Sequence, residues 1–193
     1  MDGYADLDLG DGVALRTLTT ADAELIVEAT ATETEPALWG PRPAGPYAIA
    51  DALAVFEEWN PDAGRHVAFG LCTDGRLLGA VGLMLDEQPG SIDGDSAELC
   101  YWVRPENRRQ GLALRGIGAI TEWGHRHAGL ARIWLEIDPA NTASQQLAQR
   151  AGYLFEARLA EHCRRWAADD PAQDSWHDCL IWTHAGPLQP GRP

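Results

Sequence analysis

Residues 97–113, AELCYWVRPENRRQGLA, constrain the fold of this chain more than any other stretch. Leu99, Tyr101 and Val103 alternate with Glu98, Cys100 and Trp102, the period-two pattern of a half-buried strand. Arg104-Pro105 ends it, because proline has no N–H to give a strand ladder. The following Arg108-Arg109-Gln110-Gly111-Leu112-Ala113 joins the unpaired amides of a helix start to a glycine and to fixed positive charge, a combination suited to phosphate. The helix so opened is expected over 112–127, with Gly116 and Gly118 inside it costing about 1 kcal/mol each relative to Ala unless a close approach offsets them. Apolar Leu130, Ile133, Leu135 and Ile137 then mark a strand over 130–137, joined to the first by a right-handed parallel crossover.

Arg108-x-x-Gly111-x-Ala113 after a strand resembles the acyl-CoA pyrophosphate loop of the GNAT acyltransferase superfamily, whose pattern is Gln/Arg-x-x-Gly-x-Gly/Ala. Asn141-x-x-Ser144 and Ala151-Gly152-Tyr153 follow in the order and spacing of the ribosomal-protein N-acetyltransferases of the RimJ/RimL type. The resemblance covers nearly the whole chain, with its specific motifs between residues 97 and 153. It implies an α/β (α+β) fold: a mixed central sheet of about six or seven strands, splayed at the CoA site and flanked by about four helices. One domain over 1–184 is expected, with 185–193 a disordered tail.

Composition narrows the partners. The net charge of −14 argues against nucleic acid. It suits a cationic acceptor or simple solubility equally well. All 15 basic residues are Arg, so the chain has no lysine of its own to acylate. No run of eighteen apolar residues appears, and the acidic start lacks the basic opening of a signal peptide; a cytoplasmic protein that does not engage a membrane is expected. Cys72, Cys100, Cys163 and Cys179 are widely spaced and fall in expected strands, without a Cys-x-x-Cys pair or a histidine at metal spacing. Four reduced thiols and no metal are the expectation.

Elsewhere, residues 1–12 read as a loose lead-in, 13–18 as a strand, and Thr19 or Thr20 as the cap of a helix burying Leu25, Ile26 and Ala29. Four prolines break up 30–47. Ile49, Ala52, Leu53, Phe56 and Trp59 give 48–59 a helical apolar face. Asp74-Gly75 between 66–73 and 76–85 is a two-residue hairpin signal. A loop over 86–95, a helix over 141–151 stopped by Gly152, and final strands over 153–164 and 175–183 complete the reading.

By the resemblance, acetyl-CoA is the co-substrate. The amides and charges of Arg108, Arg109, Gln110, Gly111, Leu112 and Ala113 would hold its pyrophosphate. The backbone of Trp102, Val103 and Arg104 would pair with its pantetheine arm, and Asn141 would hold the far end while capping its helix. Ser144 would hydrogen-bond the departing thiolate, since the place one turn later, where many relatives carry Tyr, is Ala148. Glu98 is the carboxylate placed to accept the amine proton, with Glu136, His177 and Asp178 as rivals. Trp39, Tyr47, Glu98 and Trp176 are the residues expected around the acceptor, a peptide N-terminus or a small cationic amine. A homodimer is the family-based expectation.

Overall fold

The structure is a computed structural model that describes residues 4–32, 45–60, 62, 66–85, 95–165 and 171–187. Eight strands form one mixed sheet in the order β1-β2-β3-β4-β5-β6-β8-β7. They are β1 (Asp6–Asp8), β2 (Ala14–Thr17), β3 (His66–Thr73), β4 (Arg76–Leu85), β5 (Ser96–Val103), β6 (Arg132–Ile137), β7 (Leu154–Arg165) and β8 (Ser175–Ala185). The α-helices among the described residues are α1 (Ala23–Thr30), α2 (Ile49–Glu58), α3 (Leu112–Arg126) and α4 (Thr142–Arg150). No helix among them is long and apolar enough to cross a membrane.

The sheet has one strand more than the upper expectation, and the extra strand lies in the supposed lead-in. β1 pairs antiparallel with β2, and the turn after it is tied to α3. There Arg115 Nη1 donates to the Leu9 carbonyl at 3.2 Å and meets Asp11 Oδ2 at 3.1 Å. Asp- and Gly-rich composition hid a strand whose few apolar residues, Leu7 within it and Ala5 and Leu9 flanking it, pack against the core beside its β2 partner.

The hairpin of β3 and β4 turns at Asp74 and Gly75, both with positive φ, 45° and 74°. That is the backbone a two-residue hairpin loop requires. At the entry to α1, Arg16 grips Asp22 with two contacts, 2.6 and 3.1 Å, and Thr19 N donates to the same carboxylate at 2.9 Å. The first turn there is a 3-10 turn, Thr20–Asp22.

Two apolar clusters cover the two faces of the sheet. One is formed with α3 and includes Leu15, Phe69, Leu71, Val81, Leu99, Ile117, Ile120, Ile133 and Tyr153, all at most 1% exposed. Each large apolar side chain so buried contributes about 1.5–3 kcal/mol. The other lies under α1 and α2, with Leu18, Ile26, Ala52, Phe56 and Trp59. Ile49 and Leu53, expected in this core, are 44% and 39% exposed. They lie at the margin of the apolar stripe, and Ala52, Phe56 and Trp59 supply the buried contact of α2 instead.

α3 comes close to the sheet where Gly116 lacks a side chain: a Cβ there would stand 3.0 Å from Leu71 Cδ2 and 3.1 Å from Val81 Cγ2. Its far end is pinned by two histidines. His125 Nδ1 lies 2.6 Å from the Leu130 carbonyl, which can only accept, so this nitrogen carries the proton. His125 Nε2 then accepts from His184 Nδ1 at 2.9 Å.

Two further expectations change. Cys163 and Cys179 form a disulfide between β7 and β8, leaving Cys72 and Cys100 as thiols. Sequence separation concealed it, because the two cysteines meet only once β7 and β8 pair. Of the expected disordered tail, Ala185 closes β8 and Gly186 N donates to the Ala131 carbonyl at 2.8 Å. Residues 188–193 lie outside the described residues.

Candidate active site

Parallel pairing of β5 with β6 is short: Ser96, Ala97 and Glu98 stand opposite Arg132, Ile133 and Trp134. Beyond Glu98 the two strands have no further register with each other, while β5 stays paired to β4 through Val103 and β6 stays paired to β8 through Ile137. The sheet therefore opens into a V with Glu98 at its apex. The edge of β5 from Leu99 to Val103 that faces the opening is available to an extended ligand, as in strand addition.

A groove of about 1270 Å³ fills the opening. Tyr101, Trp102 and Val103 line one wall; Asp138, Asn141, Ser144 and Leu147 line the other. Its mouth is built by the loop before α3. Arg109 and Gly111 take positive φ, 63° and 78°, and Gly111 caps the helix. The first amides of α3 have no intrahelical acceptor and carry the positive end of the helix dipole. Arg108, Arg109 and Arg150 add positive charge along the groove of a chain whose net charge is −14, while Arg164, also on its wall, is paired with Asp174. This geometry accommodates a long anionic ligand.

Of the residues expected to contact such a ligand, Trp102, Val103, Arg108, Arg109, Gly111, Leu112, Ala113, Asn141 and Ser144 line the groove together. Arg104 and Gln110 are not on its walls. Arg104 turns into the protein, pairing with Glu106 Oε1 at 2.8 Å and Glu28 Oε1 at 3.3 Å. Gln110 Nε2 donates to the Glu106 carbonyl at 3.3 Å. Arg108 Nε donates to the Val103 carbonyl at 2.9 Å, tying the loop to the end of β5.

Asn141 Oδ1 accepts from Ser144 N at 3.0 Å, so the side chain caps α4 and leaves its carboxamide nitrogen as the donor for a ligand. Ser144 Oγ in turn accepts from Tyr101 Oη at 2.7 Å. Burial raises the Tyr101 phenol above its ordinary range, partly offset by that bond. It is a neutral donor at pH 7. Strand alternation placed Tyr101 on the α3 side of the sheet; what it could not show is the serine, on a helix that begins beyond β6.

Glu98 lies on the other face. The registers put Glu98, Trp134, Thr183 and Met84 side by side across four strands, and alternation adds Cys100, Glu136, Ile181, Cys179 and His177 to that face. Burial raises the Cys100 thiol well above its usual value, and the Glu98 charge adds to the effect. Glu136 accepts from His162 Nε2 at 3.1 Å. His177 Nε2 faces Asp138 Oδ2 at 3.5 Å. Asp178 is engaged by Arg158 at 2.6 Å. Trp176 is 58% exposed and alternates onto the face opposite His177. Tyr47 is half-buried against the α1–α2 cluster, its amide donating to Thr30 Oγ1 at 3.2 Å. Trp39 lies outside the described residues. Glu98, Tyr47 and Trp176 are thus not brought together on one wall.

The family profile described as an acetyltransferase (GNAT) domain matches residues 13–154, which holds β2 through the start of β7 and every groove-lining residue named above except Arg164. The chain belongs to the GNAT acetyltransferase family. This makes it an N-acetyltransferase, and its fold is that of RimJ/RimL-type proteins. Mycobacterium smegmatis RimJ, solved in complex with CoA-disulfide, superposes with a TM-score of 0.76 at 20% identity, covering 97% of this chain and 88% of that one. Ribosomal-protein-S5-alanine acetyltransferase from Vibrio fischeri gives 0.77 at 15% identity, over 98% and 100%. A spermidine N-acetyltransferase SpeG chimera, from Vibrio cholerae and hSSAT, gives 0.70 at 18%, over 91% and 96%. No curated protein matches the sequence.

Proposed function

We propose that this GNAT enzyme transfers the acetyl group of acetyl-CoA directly to a primary amine, with the α-amine of a protein or peptide as acceptor. One observation carries the reading: a positively lined groove, begun by Gly111 and ended by the Tyr101–Ser144 pair, enters the sheet where β5 and β6 part. The pyrophosphate lies against the first amides of α3 beside Arg108 and Arg109, and the pantetheine arm runs along the open edge of β5. The thioester then reaches the apex of the V.

The acceptor approaches from the Glu98 face. Its neutral nitrogen attacks the thioester carbonyl carbon, the carbon–sulfur bond breaks, and the amide forms. Glu98 takes the amine proton, directly or through water. The departing thiolate takes the Ser144 hydroxyl proton, and Tyr101 is positioned to replace it. An α-amine with a pKa near 8 is already partly neutral at physiological pH, so demand on the carboxylate is modest.

A small cationic amine is the second reading, favoured by the net charge of −14 and by the carboxylates Glu98 and Glu136 on the acceptor face. The test is release of CoA thiol from acetyl-CoA with N-terminal peptides, polyamines and aminoglycosides as acceptors. Peptide-dependent release supports the first reading, and polyamine- or aminoglycoside-dependent release replaces it with the second. Release with none of them, from protein that binds CoA, rejects both acceptor classes.

A further inference from the structure

We propose that the reduced chain carries a tetrahedral site for zinc, built by Cys163, Cys179 and His177 with Glu136 as fourth ligand, at the junction of β6, β7 and β8. The ligand atoms of Cys163, Cys179 and His177 all lie within 4.8 Å of one another. Cys163 stands opposite His177 in the β7–β8 register, and Cys179 is two residues further along β8, on the same face as His177. A bulge in β7 between Leu159 and Cys163 sets this alignment. Ligand atoms around a tetrahedral zinc, at about 2.3 Å for sulfur and 2.0–2.2 Å for nitrogen or oxygen, stand roughly 3.4–3.8 Å apart, so small side-chain rotations close the site.

Two features are not explained by the disulfide. Glu136 Oε2 lies 3.2 Å from Cys163 Sγ, although a disulfide sulfur has no proton to give the carboxylate. In the reduced chain, a cation shared by the Cys163 thiolate and the Glu136 carboxylate would supply the attraction that the disulfide lacks. His177 Nδ1 is buried without a hydrogen-bond partner. Its other nitrogen faces Asp138 Oδ2 at 3.5 Å, a carboxylate that favours the tautomer with the proton on Nε2 and the lone pair on Nδ1. A carboxylate behind the imidazole is the usual outer support of a ligating histidine. Two thiolates, an imidazole and a carboxylate form a donor set that suits zinc rather than magnesium or calcium. His162 Nε2, 3.1 Å from Glu136 Oε1, holds the second oxygen of that carboxylate.

Entry to the metal form needs a reductant, a dithiol. Its two sulfurs give two electrons to the Cys163–Cys179 bond and become a disulfide, and its two protons end on Cys163 and Cys179. Zinc binding then expels both protons to solvent. The disulfide ties β7 to β8 alone. The metal also ties in β6 through Glu136, beside the groove that His177 lines.

Cobalt(II) is the probe. The whole chain, reduced with a phosphine so that no added thiol competes, is titrated under nitrogen with cobalt chloride and then with zinc. The expected result is one cobalt per chain, showing tetrahedral d–d bands and a thiolate charge-transfer band that zinc abolishes. The disulfide form should show neither. Cys163→Ser with Cys179→Ser should remove both signals, and Asp138→Asn should weaken zinc binding by about 10–100-fold. Each variant is checked for folding by its own thermal melting transition. If the double variant does not fold, the reduced and oxidised wild-type forms still decide. The proposal is overturned by an octahedral cobalt spectrum, by no binding to reduced protein, or by equal binding in the disulfide form or in the folded double variant. None of these readings depends on acetyl transfer.

Discussion

Tyr101 Oη donates to Ser144 Oγ across 2.7 Å, joining the central strand to the first turn of α4 at the inner end of the groove. The serine oxygen accepts that bond through one lone pair, which leaves its own proton available to donate into the groove. Ser144→Ala should lower kcat by about 10²-fold, the lower end of what a positioned proton donor supplies. Tyr101→Phe should lower it by about 3–10-fold, the equivalent of one hydrogen bond. The two changes together should cost less than the product of the separate losses, because they share one interaction. Steady-state kinetics with a CoA dissociation constant for each variant checks this; equal kcat in all forms sinks the assignment of Ser144.

Glu98→Gln should lower kcat/KM most at low pH, where a protonated amine most needs a base, and leave CoA affinity nearly unchanged. A pH–rate profile identical to wild type would transfer the role to Glu136 or His177, which share its face.

Gly111→Trp should abolish CoA binding. Gly111 sits at φ 78°, and a Cβ added there would meet no heavy atom within 4 Å, so the cost is backbone strain and a blocked groove rather than a collision in the core. CoA at a hundred times its dissociation constant should stabilise the wild type by about 2.7 kcal/mol in a thermal shift. The variant should show no such shift while keeping its own melting transition.

The two interior glycines of α3 should respond in opposite ways. Gly116→Leu drives a side chain into Leu71 and Val81, and about 1–3 kcal/mol of stability should be lost. Gly118 is exposed with nothing within 4 Å, so Gly118→Ala should gain about 0.5–1 kcal/mol. Chemical denaturation measures both.

Acid should loosen the pin at the end of α3. Burial lowers the His184 pKa below its ordinary value, and the charge of His125 adds to this. Below about pH 6.5 the unfolded chain therefore binds a proton that the folded chain resists, and stability falls as pH falls. The melting temperature at pH 5.5 should lie below that at pH 7.5, and His184→Phe should flatten the difference.

Local rules carried much of this architecture. Asp74-Gly75, the alternation of 97–103 and the glycine after 141–151 each determine a nearby backbone, and each element appears where those residues put it. The features that escaped are those whose partners lie far along the chain. β1 depends on β2 and Arg115, the Cys163–Cys179 bond on strand pairing, and the Tyr101 hydroxyl on a helix 43 residues away. Ile49 and Leu53 show the converse: helical spacing identified an apolar stripe but not its width. The loop that carries the motif lines the groove with all its residues but Gln110, since its glycine and the helix start are local features. The set of side chains that shares the Glu98 face could not be read directly, because it is assembled by register across β4, β5, β6 and β8.

The order β6-β8-β7 also bears on how the molecule is made. β8, the last of the eight strands to leave a ribosome, is the interior neighbour of both β6 and β7. Until it arrives, β7 has no partner and β6 has an open edge along Arg132–Ile137. Nascent or prematurely terminated chains thus display a sticky, incomplete sheet, the kind of surface that chaperones hold and proteases clear. The sheet face that carries Glu98, to which β8 contributes His177 and Cys179, waits for that same strand before it can exist at all.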